Sequence, residues 1–271
     1  MLKYELWQQL EFGENIEAFE QAKSKKYFTI AICLNFAEDN KQGCDAGCKF
    51  CHWRSLNFNP YLCPTNELLI EFINKFSRED GIVELTGGGD PLYNFEKNKY
   101  EIKRLIDVII SCNRQPKIVT KKINIVKQYI NTKFLKGVLH YSFSCEDLSE
   151  DNLTFFQSLL AKNIKVRVSK IYNFGNDQST VNYQDIYKTI NFYNKLNNSN
   201  FRLTLRSNYS FPNFDFRTER TKLNKYLEKN AINIEVKLNG IIVHMPQLIG
   251  NDVLYCSNIE QYLNLFSKGA T

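Results

Sequence analysis

The sequence predicts an α/β fold built from six β/α units, a parallel sheet with its helices outside, followed by a small C-terminal β-hairpin extension. Three observations carry that prediction. Short β-rich runs alternate with longer segments whose apolar residues recur at helical spacing. The connections between them are short, which favours a parallel sheet with outer helices. Near the C-terminus an Asn-Gly pair stands between two alternating runs, a two-residue hairpin signal.

Residues 1–26 read as a polar lead-in, with a short helix over Glu14 to Gln21. The first strand is Tyr27-Phe28-Thr29-Ile30-Ala31-Ile32-Cys33-Leu34. Pro64-Thr65-Asn66-Glu67 opens a helix, whose apolar face is Leu68, Leu69, Phe72, Ile73 and Phe76. The second strand is Ile82 to Leu85. The next helix runs from Lys99 to Cys112, with Ile102, Leu105, Ile106, Ile109 and Ile110 inward. Lys117 to Thr120 is the third strand, and a helix follows over Ile123 to Ile130. Val138 to Ser144, Lys165 to Ile171 and Phe201 to Arg206 are the fourth, fifth and sixth strands. Helices over Asn152 to Ala161 and Tyr183 to Leu196 separate them, and one over Thr218 to Lys229 ends the series. The hairpin lies in Asn233 to Met245 around Asn239-Gly240. The domain reading is therefore a lead-in at 1–26, a core at 27–229 and a C-terminal hairpin or cap at 230–271.

The chain has 271 residues, enough for one large domain or two small ones. Its formal charge of +6 permits an anionic substrate or RNA without requiring either. Its richness in Asn, Lys and Ile is read as compositional bias. Five of the eight cysteines, Cys33, Cys63, Cys112, Cys145 and Cys256, are scattered and form no C-x2-C pair. A disulfide framework is not expected from that arrangement, which suits a reducing compartment. The N-terminus lacks a secretory pattern. No run of about 18 apolar residues offers a transmembrane helix. A cytoplasmic protein without membrane contact is the expectation.

The other three cysteines are concentrated. Cys44, Cys48 and Cys51 stand at C-x3-C-x2-C in Gly43-Cys44-Asp45-Ala46-Gly47-Cys48-Lys49-Phe50-Cys51-His52-Trp53. Thiolates suit iron–sulfur clusters and zinc. Three on one loop can hold three irons of a cubane and leave the fourth open to a small chelating molecule. A second motif follows the second strand in Ile82-Val83-Glu84-Leu85-Thr86-Gly87-Gly88-Gly89-Asp90-Pro91-Leu92. In α/β barrels chemistry sits at the C-terminal strand ends, and both motifs lie just past one.

The cysteine spacing, with Phe50 just before the third cysteine, resembles the C-x3-C-x-Φ-C motif of the radical S-adenosylmethionine (SAM) superfamily. Gly88-Gly89-Asp90-Pro91 is similar to that family's Gly-Gly-Glu-Pro motif, with Asp for Glu. The resemblance covers about residues 27–229, with sharp motifs at 44–51 and 86–91. It implies a partial (β/α)6 TIM-like barrel, and six units rather than eight agree with it. It also implies a [4Fe-4S] cluster on Cys44, Cys48 and Cys51, and SAM bound through the open iron. Phe50 would pack beside the cluster, although a core role is equally open. Gly88 and Gly89 would approach SAM by their backbone, since no Cβ intervenes, and Asp90 would pair with its ammonium. Thr120, Ser142, Ser144, Arg167 and Arg206, on later strands, are candidates for the ribose and carboxylate of SAM, with Ser144 preferred. An interior Arg costs energy unless paired; the alternative is an Arg facing solvent or pairing with a helix Glu. His52 and Trp53 line the pocket or pack the loop. Cys33 and Cys112 read as buried packing.

The activity implied is reductive cleavage of SAM to a 5′-deoxyadenosyl radical that abstracts hydrogen from a small-molecule or nucleotide-like substrate. An electron donor such as flavodoxin or ferredoxin would supply the electron. A glycyl-radical activating enzyme or a peptide-modifying enzyme of the same superfamily remains an alternative, with a protein or peptide as substrate. Two rivals lie outside this activity: a zinc-binding module that interacts with RNA, and a barrel that keeps a cluster only structurally. Structural zinc is normally closed by four ligands, and His52, adjacent to Cys51, is poorly placed to be the fourth. Neither rival gives the glycine–aspartate motif a task.

Overall fold

The computed structural model describes residues 26–34, 36, 44, 63–86, 89–130, 135–142, 148–171, 183–206, 221–222, 225, 229, 242–244, 253–256 and 259. At 139–142, 171, 183, 204–206, 242–244 and 253–256 it describes the backbone. The chain divides into two compact units, residues 1–118 with 249–271 and residues 119–248.

The first unit contains β1 (Tyr27–Cys33), α1 (Asn66–Phe76), β2 (Ser77–Thr86), α2 (Phe95–Ser111), β3 (Gln115–Thr120, its last two residues assigned to the second unit) and β8 (Val253–Cys256). The strand order is β8-β1-β2-β3, each neighbour parallel. Helix α1 starts where the sequence predicts. Thr65 is its N-cap, and the hydroxyl accepts the Leu68 N–H at 3.3 Å, supplying one of the acceptors that a helix start lacks. Leu69, Phe72, Ile73 and Phe76 are buried along one face. On the sheet, Ile30, Ile32, Val83, Leu85 and Ile118 are buried in step.

Strand β2 begins five residues earlier than the sequence predicts. Arg78-Glu79-Asp80-Gly81 precedes the predicted strand, yet Ser77 pairs with Tyr27 and the register then jumps, so that Thr29 faces Ile82. Gly81 permits this irregularity. A Cβ there would lie 2.4 Å from Ser77 Oγ and 2.7 Å from the Arg78 carbonyl oxygen.

Helix α2 begins four residues earlier than predicted, at Phe95, and Ile110 is half-buried rather than inward. It ends in a left-handed Asn113 (φ 55°). Asn113 N–H bonds the Ile110 carbonyl at 2.9 Å, and Arg114 N–H bonds Ile109 at 3.1 Å, a Schellman ending with Asn where Gly is usual. Arg114 is buried, and among the described residues its guanidinium donates to no carboxylate. Its guanidinium donates to Ser77 Oγ (3.3 Å), the Ser77 carbonyl (3.3 Å) and the Cys112 carbonyl (2.7 Å). Ser77 and Cys112 are the C-caps of α1 and α2. The cation thus sits on the negative ends of two helices, which offset its burial. Cys112 is buried, as the sequence predicts.

The second unit contains α3 (Ile123–Tyr129), β4 (Gly137–Ser142), α4 (Glu150–Ala161), β5 (Lys165–Ile171), α5 (Tyr183–Tyr193, extended by a 3-10 turn at Asn194–Leu196), β6 (Phe201–Arg206) and β7 (Ile242–His244). Its strands run β4-β5-β6-β7, all parallel. Ser149 caps α4 by accepting the Asn152 N–H at 3.1 Å, and Asn163 ends it in the same left-handed motif as Asn113. Tyr193 anchors an aromatic core, stacked on Phe201 at 5.6 Å and edge-on to Phe192 at 5.1 Å. Lys170, fully buried, pairs with Asp185 of α5 at 2.5 Å. Residues 221, 222, 225 and 229 are helical, inside the predicted last helix.

In the C-terminal segment, where the sequence predicts a hairpin and cap, the structure describes two short strands. Ile242–His244 pairs in parallel with β6, and Val253–Cys256 pairs in parallel with β1. The segment therefore lengthens a sheet edge in each unit. The physical reason is that both β1 and β6 otherwise present an open edge of backbone donors and acceptors. The Asn239-Gly240 turn and the first half of the predicted hairpin lie outside the described residues.

Candidate active site

The two motifs leave the first unit from adjacent strands. Cys33 at the end of β1 pairs with Thr86 at the end of β2, and Leu34 N–H continues the pairing to the Thr86 carbonyl at 3.0 Å. Beyond Leu34 the chain passes to the cysteine segment; beyond Thr86 it enters the glycine run. Both exits are at the C-terminal edge of a parallel sheet, where barrel chemistry is found. Cys44 is half-buried and in no disulfide. Cys48, Cys51, Phe50 and Gly88 lie outside the described residues, as does Ser144.

Gly89 and Asp90 are half-buried. Asp90 starts a turn in which Tyr93 N–H bonds the Asp90 carbonyl at 2.9 Å and Leu92 N–H bonds Asp90 Oδ1, also at 2.9 Å. Pro91 holds the next position, the favoured order for such a turn. A side-chain oxygen reaching the N–H two residues on is an Asp or Asn habit; Glu carries one methylene too many. The departure from Glu noted in the sequence therefore has a local structural cause. A carboxylate offers about four lone-pair sites, so this bond does not exhaust its capacity for an ammonium. A cysteine outside any disulfide and a turn-anchored carboxylate fit a thiolate-held cluster and an amino-acid ligand.

Sequence reasoning passed over one pair. Glu84 and Lys117 face each other in register on β2 and β3 and form an ion pair at 2.6 Å, with side chains 17% and 19% exposed. A single charge inside the apolar run Ile82-Val83-Glu84-Leu85 was the available signal.

In the second unit, Thr120 is buried and its Oγ1 accepts the Lys122 N–H at 2.8 Å. Its hydroxyl thus helps turn the chain into α3. Ser142 and Arg206 end β4 and β6; the register sets Ser142 beside Lys170, and Arg206 beside Ile171 and His244. Arg167 is half-buried on β5 and Ser169 fully buried. By alternation these two share the face opposite Val166, Val168 and Lys170.

No protein-family model matches the chain, and no curated protein sequence matches it. Solved structures do. SuiB of Streptococcus suis, in a crystal structure bound to S-adenosylmethionine, is 16% identical with a TM-score of 0.51. The match covers 87% of this chain and 52% of SuiB, so the chain spans about half of SuiB's length. Spore photoproduct lyase complexed with dinucleoside spore photoproduct is 11% identical, with a TM-score of 0.47 over 80% of this chain and 83% of the lyase. A single-residue mutant of that lyase gives 0.49 at 10% identity, over 86% and 85%. Among the described residues, no helix is long and apolar enough to cross a membrane. On the SuiB likeness, the chain shares the fold of that S-adenosylmethionine-bound protein over 87% of its own length.

Proposed function

We propose that this chain is a radical SAM enzyme acting on a small-molecule or nucleotide-like substrate, with its core arranged as a partial (β/α)6 barrel. The observation that carries the reading is the exit of the Cys44-Cys48-Cys51 segment and the Gly88-Gly89-Asp90-Pro91 turn from the paired ends of β1 and β2. Cys44, Cys48 and Cys51 would hold a [4Fe-4S] cluster, and their thiolates are the soft ligands iron takes. When bound, cluster and SAM supply a 5′-deoxyadenosyl radical that abstracts hydrogen. The chain's own residues bind and orient. Asp90, fixed through Leu92 N–H, presents a carboxylate to the SAM ammonium. Gly89, without a Cβ, lets the backbone approach the ligand. Thr120, Ser142, Ser144, Arg167 and Arg206 remain candidates for the rest of SAM, and flavodoxin or ferredoxin for the electron donor. Position and exclusion of water are the protein's part of such chemistry.

The test is anaerobic reconstitution followed by iron and sulfide analysis, then SAM and dithionite with an assay for 5′-deoxyadenosine. About four irons per chain and product that disappears in Cys48→Ala are expected. Zinc in place of iron, or an intact cluster that never cleaves SAM, would sink the reading.

A further inference from the structure

We propose that Glu84 and Lys117 form the substrate-recognition pair of this site, and that the group they read is a cis-amide edge: an N–H beside a C=O, as in a lactam-type nucleobase. This rests on the radical SAM reading and names its substrate class.

The sheet of the first unit has two unlike faces. Alternation places Ile30, Ile32, Val83, Leu85 and Ile118 on one, all buried. Helix α1, whose Leu69, Phe72 and Ile73 are buried, lies against β1 and β2, and apolar surface seeks that first face. The other face is mixed: it carries Thr29, Ile82, Glu84, Thr86 and Lys117 beside the buried Ala31, Cys33 and Val119. There the register aligns Ala31, Glu84 and Lys117 in one row across three strands. Glu84 lies two residues before the end of β2, roughly 7 Å along the strand from Thr86, after which the glycine run begins. An ion pair so placed is a poor device for stability. Desolvation of two charges offsets much of their attraction, and an apolar pair of similar size often serves as well.

The pair's shape suits a particular ligand. An ammonium has three donors and a carboxylate about four acceptor sites; the contact between them takes one of each. Lys117 Nζ and Glu84 Oε2 are 2.6 Å apart. In a cis amide the nitrogen and oxygen lie on one edge, about 2.2 Å apart by standard bond lengths. Lys117 donating to the C=O and Glu84 accepting from the N–H would run side by side. A trans peptide bond points those groups in opposite directions and offers no such edge. A lone anion would meet Glu84, and a lone cation Lys117. The bland alternative is a cross-strand pair that only locks β2 to β3.

The experiment uses reconstituted full-length protein with SAM and measures binding of defined probes by calorimetry. Inosine offers N–H beside C=O on one side of its base, and 1-methylinosine lacks the N–H. A cyclic dipeptide is a peptide-derived source of the same edge, and N-acetylalanine N-methylamide is the trans control. The variants are Lys117→Met and the swap Glu84→Lys with Lys117→Glu, which retains an ion pair between the strands. Inosine should bind the wild type, and lose about tenfold on N1-methylation and about tenfold in both variants, while the swap keeps the wild-type melting temperature. Tighter binding of the cyclic dipeptide with the same losses would assign the edge to a peptide-derived source. Equal binding of the trans control, unchanged affinity in both variants, or no binding of any probe overturns the proposal. Wild-type SAM cleavage is measured separately, and its absence overturns the radical SAM reading whichever way the probes fall.

Discussion

Leu92 donates its backbone N–H to Oδ1 of Asp90 at 2.9 Å, so the acid of the second motif is also the side chain that folds its own turn. The two roles separate by substitution. Asp90→Asn keeps the oxygen that Leu92 needs and removes the charge. Its melting temperature should stay within a degree or two of wild type, while SAM affinity falls about 10- to 100-fold, the worth of a charged hydrogen bond. Asp90→Glu keeps the charge and loses the turn, and should lower stability by about 1 kcal/mol. Calorimetric SAM titration beside thermal melting checks both.

Arg114 holds the C-caps of α1 and α2 with three hydrogen bonds. Arg114→Met leaves the Ser77 and Cys112 carbonyls with one donor fewer each, and should cost about 2–4 kcal/mol in urea unfolding. Arg114→Lys, with a point charge in place of a fork, should recover only part of it.

Lys170 and Asp185 test what a buried pair contributes in the second unit. Asp185→Asn removes the carboxylate charge beside a fully buried ammonium and should cost about 3–5 kcal/mol. The double replacement Lys170→Met with Asp185→Leu should cost markedly less than that single change. A double-mutant cycle by urea unfolding measures the coupling.

The Cys63 thiol is exposed at the surface, yet partial desolvation first and then the Glu101 carboxylate push it up from its ordinary value, with Arg104 pulling the other way. A raised pKa means less thiolate at any pH below it, and the thiolate is the nucleophile. Alkylation of Cys63 at pH 8, followed by peptide mapping, should be slower than for a free thiol. It should speed up in Glu101→Gln and slow in Arg104→Gln.

Much of the fold was legible because helix starts and apolar stripes are local. Thr65 and the Leu69-Phe72-Ile73-Phe76 face could be read directly, and β5 and β6 begin and end where their β-rich runs do. What failed was non-local. Arg78 to Gly81 lack an apolar alternation and join the strand by pairing, because only the opposing Tyr27 and Thr29 reveal the jump in register. The parallel pairing of Ile242–His244 with β6 likewise joins segments far apart in the chain, which no local signal reports. In the candidate site, the Gly-Gly-Asp-Pro sequence announced a turn, and Asp90 makes one. The Glu84–Lys117 pair needed the alignment of two strands that are 33 residues apart in the chain.

The pairing of β8 with β1 has a bearing on synthesis. Val253 to Cys256 are made more than two hundred residues after their partners Thr29 to Ile32. At roughly 5–20 residues per second, the strand that leads to Cys44 waits roughly ten to forty seconds on the ribosome with one flank unpaired. During that interval an unpaired β1 edge is open to any neighbouring nascent chain. Slow decoding late in the message would lengthen this exposure and lower the yield of folded protein, although every residue of the motifs had long since been made.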